Sequence, residues 1–365
     1  MGEEPAESRL GGPVLVVGAG LLGTSIGLAL RRRGVEVLLR DVNPQNVTIA
    51  SSVGAGVDAA HASTTEDVAL VVVAVPPDHL ADEIVAALEA GDAWVTDVGS
   101  VKAAPLEAVS ARVDRDRLAH YVGSHPMAGS ERSGPFAASS ALFDGRPWAV
   151  TPHRAADPAA VEAVTALAAL CGATPVILGP EEHDEAVART SHLPHLLASL
   201  VAGRLADAPP AHLALSGQGV RDVTRIAAGD PALWQQIIAG NAHAVSALLT
   251  DVREDLDELL EAVGSGDRAR VAALLQRGVE GTAAIPGKHG GPAQPTAPVY
   301  VVVPDHPGEL ARLLADAGDI GVNVEDLHID HDPGRPVGLV ELAVAADRAE
   351  FLRASLEGRG WTSHR

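Results

Sequence analysis

Three short polar stretches stand out from the apolar segments around them. The first reads Thr96-Asp97-Val98-Gly99-Ser100-Val101-Lys102. The second reads Gly123-Ser124-His125-Pro126-Met127-Ala128-Gly129, with Glu131 shortly after it. The third is Thr190-Ser191-His192-Leu193-Pro194-His195, joined further on by Arg221-Asp222-Val223-Thr224-Arg225. Hydroxyls, imidazoles and guanidinium groups are the side chains that orient substrates, move protons near neutral pH and bind anions. The first two stretches are expected just beyond the carboxyl ends of two strands, where open α/β sheets place their ligands.

A fourth pattern is made of glycines. Gly18-Ala19-Gly20-Leu21-Leu22-Gly23 follows an apolar strand and opens a helix. In a dinucleotide site the first glycine makes the tight turn and the second lets the backbone approach a pyrophosphate. The third lets helix and sheet pack closely, with the helix N-terminal N–H groups facing the anion. Gly18, Gly20, Leu21, Leu22 and Gly23 are therefore expected at a cofactor. Asp41, at the end of the next strand, is placed to accept hydrogen bonds from ribose hydroxyls and to repel a 2′-phosphate, which favours NAD over NADP. The neighbouring Arg40 pulls the other way, since an arginine in this turn could pair with that phosphate.

These groups need a scaffold. Apolar segments at 14–17, 35–39, 70–75, 94–97, 121–123, 148–151 and 175–178 alternate with helical ones, the pattern of a parallel sheet with crossover helices. They are nearly all apolar, as strands covered on both faces should be. Helical segments follow at 183–204, 211–228, 231–263 and 267–280, then a Pro/Gly-rich linker without periodicity at 286–297. Beyond it, strands at 299–303, 322–329 and 338–344, helices at 307–317 and 348–356, and a short last strand give the order βαββαβ, a ferredoxin-like sandwich. The reading is a Rossmann-type dinucleotide-binding domain at 1–179, an all-α domain at 180–285, and the βαββαβ domain at 298–365.

Composition narrows the classes. A chain of 365 residues with 47% apolar and 21% charged residues is globular and long enough for two or three domains. A formal charge of −21 argues against a nucleic-acid partner, though local Arg and His can still hold a small anion. Cys171 is the only cysteine, so neither an internal disulfide nor a cysteine metal cluster is possible. His183, His192 and His195 invite a metal reading, but they lack acidic ligands on one helical face, and no metal is expected. The acidic start and the glycines between Val14 and Leu30 leave no leader or membrane span, so a cytoplasmic protein is expected.

The run GAGLLGTS, DVGSVK, GSHPMAG, SHLPH and RDVTRIA…DPALW, in that order, resembles the prephenate and arogenate dehydrogenases through nearly the whole chain. The C-terminal unit, with Pro304-Asp305-His306-Pro307-Gly308-Glu309-Leu310, is similar to an ACT domain, an amino-acid-sensing module. The resemblance implies NAD-dependent oxidative decarboxylation of prephenate to 4-hydroxyphenylpyruvate on the route to tyrosine. Within it His125 accepts the proton of the substrate 4-hydroxyl, and Ser100 orients that hydroxyl. Arg225 clamps a substrate carboxylate, Ser191, His192 and His195 face the substrate side chain, and Glu131 belongs to a gating loop. It also implies a homodimer formed through the helical domain, and a C-terminal effector, most simply tyrosine, met by Asp305, Gly308 and Asn323. A simpler role for Ser100, capping the helix that follows, stays open.

Two other functions compete. Arogenate dehydrogenase differs by an amino group on the side chain; His195 offers that ammonium no fixed negative charge, which leans towards prephenate. A non-enzymatic NAD or amino-acid sensor would need none of Ser100, His125 and Arg225. A 3-hydroxyacid dehydrogenase of similar architecture would not predict the GSHPMAG and SHLPH pair.

Overall fold

The computed structural model describes residues 10–61, 68–129, 133–285, 295–331 and 337–364. The chain divides into two compact units, Met1–Arg253 and Glu254–Arg365.

In the first unit, β1 (Val14–Val17), β2 (Val37–Arg40), β3 (Val57–Asp58), β4 (Leu70–Val73) and β5 (Trp94–Asp97) form a parallel sheet in the order β3-β2-β1-β4-β5. The order reverses between β1 and β4, which opens a crevice at their carboxyl ends, the usual ligand position in such sheets. The crossovers include α1 (Leu21–Arg32), α2 (Pro44–Ser52) and α3 (Leu80–Ala90). Val14, Val16, Ile26 and Leu30 pack on one face of the sheet and Val71, Val73, Ile84 and Leu88 on the other, so core strands need no polar alternation. Aromatics are only 2% of the chain, and the cores are built from Val, Leu, Ile and Ala.

Beyond α4 (Ala103–Ser110) and α5 (Arg115–Leu118) the parallel pattern ends. β6 (Gly123–Pro126), β7 (Pro147–Thr151) and β8 (Thr174–Ile177) form a separate sheet in which β6 and β7 are antiparallel; α6 (Pro158–Leu170) links β7 to a parallel β8. This corrects the expectation of one parallel sheet. Only a 3₁₀ turn at Pro135–Ala137 lies among the described residues between β6 and β7, and a parallel pair needs a fuller crossover. β8 is also not covered on both faces, since Val176 and Ile177 are exposed. The short β3 has no apolar run to announce it.

The helical stretch is more broken than its periodicity suggests. α7 (Pro180–Val187) passes through a π turn at Ala188–His192 into α8 (Leu193–Gly203). Pro194 explains the turn: it has no N–H, and its ring crowds the carbonyl four residues back, so the helix widens for one turn. α9 (Pro210–Leu213) and α10 (Gln218–Arg225) replace one expected helix. α11 (Pro231–Gly240) and α12 (Ala242–Ser265) replace another, parted at Asn241.

The second unit holds the end of α12, α13 (Arg268–Ala283) and then β9 (Thr296–Pro304), α14 (Glu309–Asp319), β10 (Asp326–His331), β11 (Val337–Ala345), α15 (Ala349–Gly358) and β12 (Thr362–His364). The sheet is antiparallel in the order β10-β11-β9-β12, which is the ferredoxin-like βαββαβ arrangement. Alternate residues Val299, Val301, Val303, Val340, Leu342 and Val344 turn to one face, where Leu313, Leu352 and Leu356 cover them. β10 starts four residues later than the sequence suggests.

Candidate functional site

The glycine turn has the shape a diphosphate needs. Gly18 has φ +101° and presses against the Ala74 carbonyl, where any side chain would collide. Gly20, at the N-cap of α1, has nothing within 4 Å of where a Cβ would stand, so its backbone is approachable. A Cβ on Gly23 would overlap the Gly18 carbonyl, which is the close packing the third glycine allows. Leu21 and Leu22 open α1, whose first turn has no acidic residue and no side-chain cap, leaving its N–H groups to an anion. Asp41 follows β2 and ties the turn together: its carboxylate accepts from Ala19 N–H at 2.7 Å and from Asn43 N–H at 2.7 Å. The Arg40 guanidinium turns aside to Glu83 at 3.2 Å.

Beside the end of β5 lies an imidazole relay. His125 sits inside β6, not in a turn beyond it as the sequence suggests, because pairing with Ala149 of β7 extends the strand through Gly123 and Pro126. Its Nδ1 is 3.0 Å from Nε2 of His183, and Nδ1 of His183 is 2.8 Å from Oδ1 of Asp184. The Asp184 carboxylate also accepts Lys102 N–H at 2.8 Å and Ala103 N–H at 2.9 Å. These acceptor roles assign the tautomers in turn. His183 donates from Nδ1, so its Nε2 accepts, so His125 donates from Nδ1 and keeps a lone pair on Nε2. Burial, then the nearby His183, Lys102 and His192, hold His125 well below its ordinary pKa. At neutral pH it is a free imidazole base.

Asp184 also serves the start of α4, where Lys102 is the N-cap and provides no side-chain cap bond. Ser100 is therefore not spent on capping. It lies partly exposed in the loop after β5. Ser124, next to His125, donates to the Asp97 carbonyl at 2.9 Å, so the end of β5 that leads to Ser100 lies beside the strand that carries His125.

Beneath these groups is a fully buried cluster. The Lys102 ammonium bonds to Oδ2 of Asp97 and donates to the Ser124 carbonyl at 2.7 Å. Tyr121 donates to Oδ1 of Asp97 at 2.8 Å, and Gly99 N–H donates to Oδ2 at 2.9 Å.

The helical motif places its histidines unequally. His192, in the π turn, is 1% exposed; its Nδ1 takes the Asn241 amide at 3.2 Å, and that amide also donates to the Asp184 carbonyl at 2.7 Å. Burial pulls its pKa down to about 4. His195 is stacked face to face on Trp234 at 3.5 Å and bonds the backbone of Ile226. Burial lowers its pKa as well. Gly229 makes the stack possible, since a Cβ there would stand 2.5 Å from Trp234 Nε1. Arg225 is exposed at the end of α10, one residue from the Ile226 that His195 bonds. Ser191 is partly exposed in the π turn, and Glu131 lies outside the described residues. In the second unit Gly308 has φ +94° at the N-cap of α14, Asp305 is exposed, and Asn323 donates to Glu325 at 2.7 Å.

Sequence reasoning singles out Ser100, His125, His192 and His195; it quotes Asp97, Lys102 and Trp234 only within motifs and does not name Tyr121, Asp184 or Asn241. His183 figures there only as a metal candidate. One signal is legible: a His-Asp pair opening a helix beside polar, unpaired strand ends.

Residues 26–188 match the family described as prephenate dehydrogenase, nucleotide-binding domain, and residues 179–277 match prephenate dehydrogenase, dimerization domain. A Streptomyces niveus protein named "Probable prephenate dehydrogenase NovF" is 39% identical over 366 residues, 96% of this chain and 99% of that one. The crystal structure of prephenate dehydrogenase from A. aeolicus in complex with hydroxyphenyl propionate and NAD+ is 28% identical, with TM-score 0.65, covering 74% of this chain and 97% of that one. Synechocystis arogenate dehydrogenase is 26% identical, with TM-score 0.64, covering 74% of this chain and 98% of that one.

Proposed function

The chain belongs to the prephenate dehydrogenase family, and from that membership we infer that it converts prephenate to 4-hydroxyphenylpyruvate by NAD-dependent oxidative decarboxylation. The observation that carries this reading is the His125 ring, whose Nδ1 is engaged by the His183–Asp184 pair so that its Nε2 keeps the lone pair. A base that stays neutral at neutral pH suits removal of a hydroxyl proton.

The chemistry that NAD supplies when bound is a hydride acceptor. The open backbone at Gly20 and the uncapped start of α1 fit its diphosphate, and Asp41 fits its ribose. On the substrate, His125 Nε2 takes the proton of the 4-hydroxyl while Ser100 holds that oxygen in line. Departure of the ring carboxylate as CO₂ then restores aromaticity, which makes the reaction irreversible. Arg225 meets a substrate carboxylate through charge-assisted hydrogen bonds, and Ser191 and His195 border the side chain, whereas His192, expected there from the sequence, is buried against Asn241. The decisive experiment follows NAD⁺ reduction by the purified protein with prephenate and with arogenate. Faster turnover of arogenate would overturn the substrate assignment. The Synechocystis likeness keeps arogenate as the second reading. His195, kept neutral by burial, offers no negative charge to an ammonium and favours prephenate.

The same reading extends to assembly and regulation. Leu256, Leu260 and Val263 line one side of α12, and Leu275 and Val279 one side of α13, all more than half exposed. Such apolar stripes support a homodimer, which light scattering at micromolar concentration tests. The C-terminal βαββαβ unit is an ACT-type module whose effector is tyrosine, met at Asp305, Gly308 and Asn323. Equal tyrosine inhibition of the full chain and of a chain ending before Pro298 would overturn that assignment. The enzyme works in the cytoplasm on this reading; among the described residues no helix is long and apolar enough to cross a membrane.

A further inference from the structure

We propose that Lys102, Asp97 and Tyr121 form a buried clamp that aims His125, with Lys102 as its positioning residue; this rests on His125 being the base. The Lys102 side chain is 1% exposed and reaches no substrate surface. Its ammonium joins two strand ends. One bond goes to the Asp97 carboxylate at the end of β5, and the other goes to the carbonyl of Ser124 in β6, the residue before His125. Its backbone N–H meets Asp184, which fixes His183 and through it His125. One residue thus holds the base from its main chain and from the ring nitrogen opposite the reacting one.

The space for this lysine is prepared. A Cβ at Gly123 would stand 3.2 Å from Lys102 Cδ, 3.2 Å from the Tyr121 hydroxyl and 2.9 Å from Thr151 Oγ1. Tyr121 closes the far side of Asp97, and burial followed by the Asp97 charge pushes its pKa well above the ordinary value, so it remains a donor. Burial lowers the Lys102 pKa, and Asp97 opposes that. A buried ion pair is an uncertain source of stability, because removing two charges from water costs about as much as their attraction returns. Its placement between the strand that leads to Ser100 and the strand that carries His125 gives it a use.

The charge has a second effect. Among the described residues, the titratable groups that act on the His125 ring are His183, His192 and Lys102, with Asp184 behind His183 and with Asp97 and Tyr121 behind Lys102. Lys102 is the fixed cation among them, and a nearby cation resists protonation of the imidazole.

The test is the double variant D97N/K102M, which removes the pair together and leaves no unpaired buried charge. The asparagine that replaces Asp97 can still accept from Gly99 N–H and meet the Tyr121 hydroxyl. The variant is expected to keep its thermal midpoint and its affinity for NAD⁺. Its kcat should fall about 10–100-fold, within the usual worth of a well-placed base, while KM for prephenate stays within about twofold. The acid limb of kcat/KM should move up in pH, because the cation that opposed protonation is gone. A second variant, Tyr121→Phe, removes one hydroxyl at the far end of the clamp and should lower kcat by roughly threefold to tenfold, the worth of about one hydrogen bond, with KM unchanged. Wild-type kcat and an unmoved acid limb in either folded variant would overturn the clamp. His125→Asn is measured alongside. If that variant is inactive while the clamp variants are normal, the clamp alone is wrong; if it is fully active, the reading of His125 as base fails and the clamp falls with it.

Discussion

His183 places its Nε2 3.0 Å from Nδ1 of His125, and Asp184 holds the opposite nitrogen of His183 at 2.8 Å. The order carboxylate, imidazole, imidazole points a lone pair out of the far ring. Replacing His183 with Phe keeps the ring volume and removes the acceptor. We expect kcat to fall about 10–100-fold as the His125 tautomer is freed, with about 1–3 kcal/mol of stability lost to the buried groups left unpaired. Steady-state kinetics and urea unfolding read both; wild-type turnover would dismiss the relay.

The pH profile should carry the signature of His125. Its folded pKa lies well below the ordinary value, first through burial and then through His183, Lys102 and His192. The base is active when neutral, so kcat/KM should stay level as pH drops through about 6.5, where a free histidine titrates, and decline only below it. His125→Asn should abolish that limb and lower turnover about 10²–10⁴-fold. A limb at or above the ordinary histidine value in the wild type would contradict the burial argument.

Stability should follow pH through His192. Its folded pKa, lowered to about 4 mainly by burial, lies below that of the unfolded chain, so the unfolded state binds more protons between the two. The contribution of the neutral ring is complete above the unfolded pKa and is lost as pH falls from about 6.5 towards 4. Urea midpoints should decline across that window, and His192→Gln should flatten part of the slope. An unchanged slope in that variant would remove His192 as a source.

Gly229→Ala tests the stack. Its φ of −62° suits alanine, so any effect comes from the Cβ that would stand 2.5 Å from Trp234 Nε1. We expect KM for prephenate to rise about 10-fold, near the 1.4 kcal/mol of a displaced contact, with NAD⁺ affinity unchanged. A fall in NAD⁺ affinity instead would show that the stack supports the cofactor side.

Asp41→Ala should raise KM for NAD⁺ about 10–100-fold, the worth of one or two charged hydrogen bonds, and raise that for NADP⁺ less. Equal use of both cofactors by the wild type would mean that Arg40 governs the turn despite its pairing with Glu83.

How much of this was legible depended on distance along the chain. The strand, glycine turn and helix from Val14 to Arg32 could be read because period, turn residues and helix start all lie within one short window. The alternating strands of the C-terminal unit could be read for the same reason. The placement of His125 within β6 could not, since its strand partner Ala149 and its ring partner His183 belong to later elements. Nor could the π turn before His195, because Pro194 announces a helix start and conceals the widened turn behind it. Lys102 closes the first polar stretch with no role of its own in the sequence; only the fold turns it inward.

The contact between Trp234 and His195 also gives the pocket an optical signal. The protein has four tryptophans. Trp148 is packed against Phe143, Trp361 lies under Arg312 in the other compact unit, and Trp94 leans on His120. Trp234 alone is stacked flat on an imidazole, 3.5 Å away and 8° from parallel. The surroundings of this indole are therefore set by a residue of the SHLPH motif. A ligand that moves His195 relative to Trp234 is expected to change the emission of this indole. If prephenate binds beside His195 as proposed, its binding can be followed by intrinsic fluorescence, without turnover and without a label.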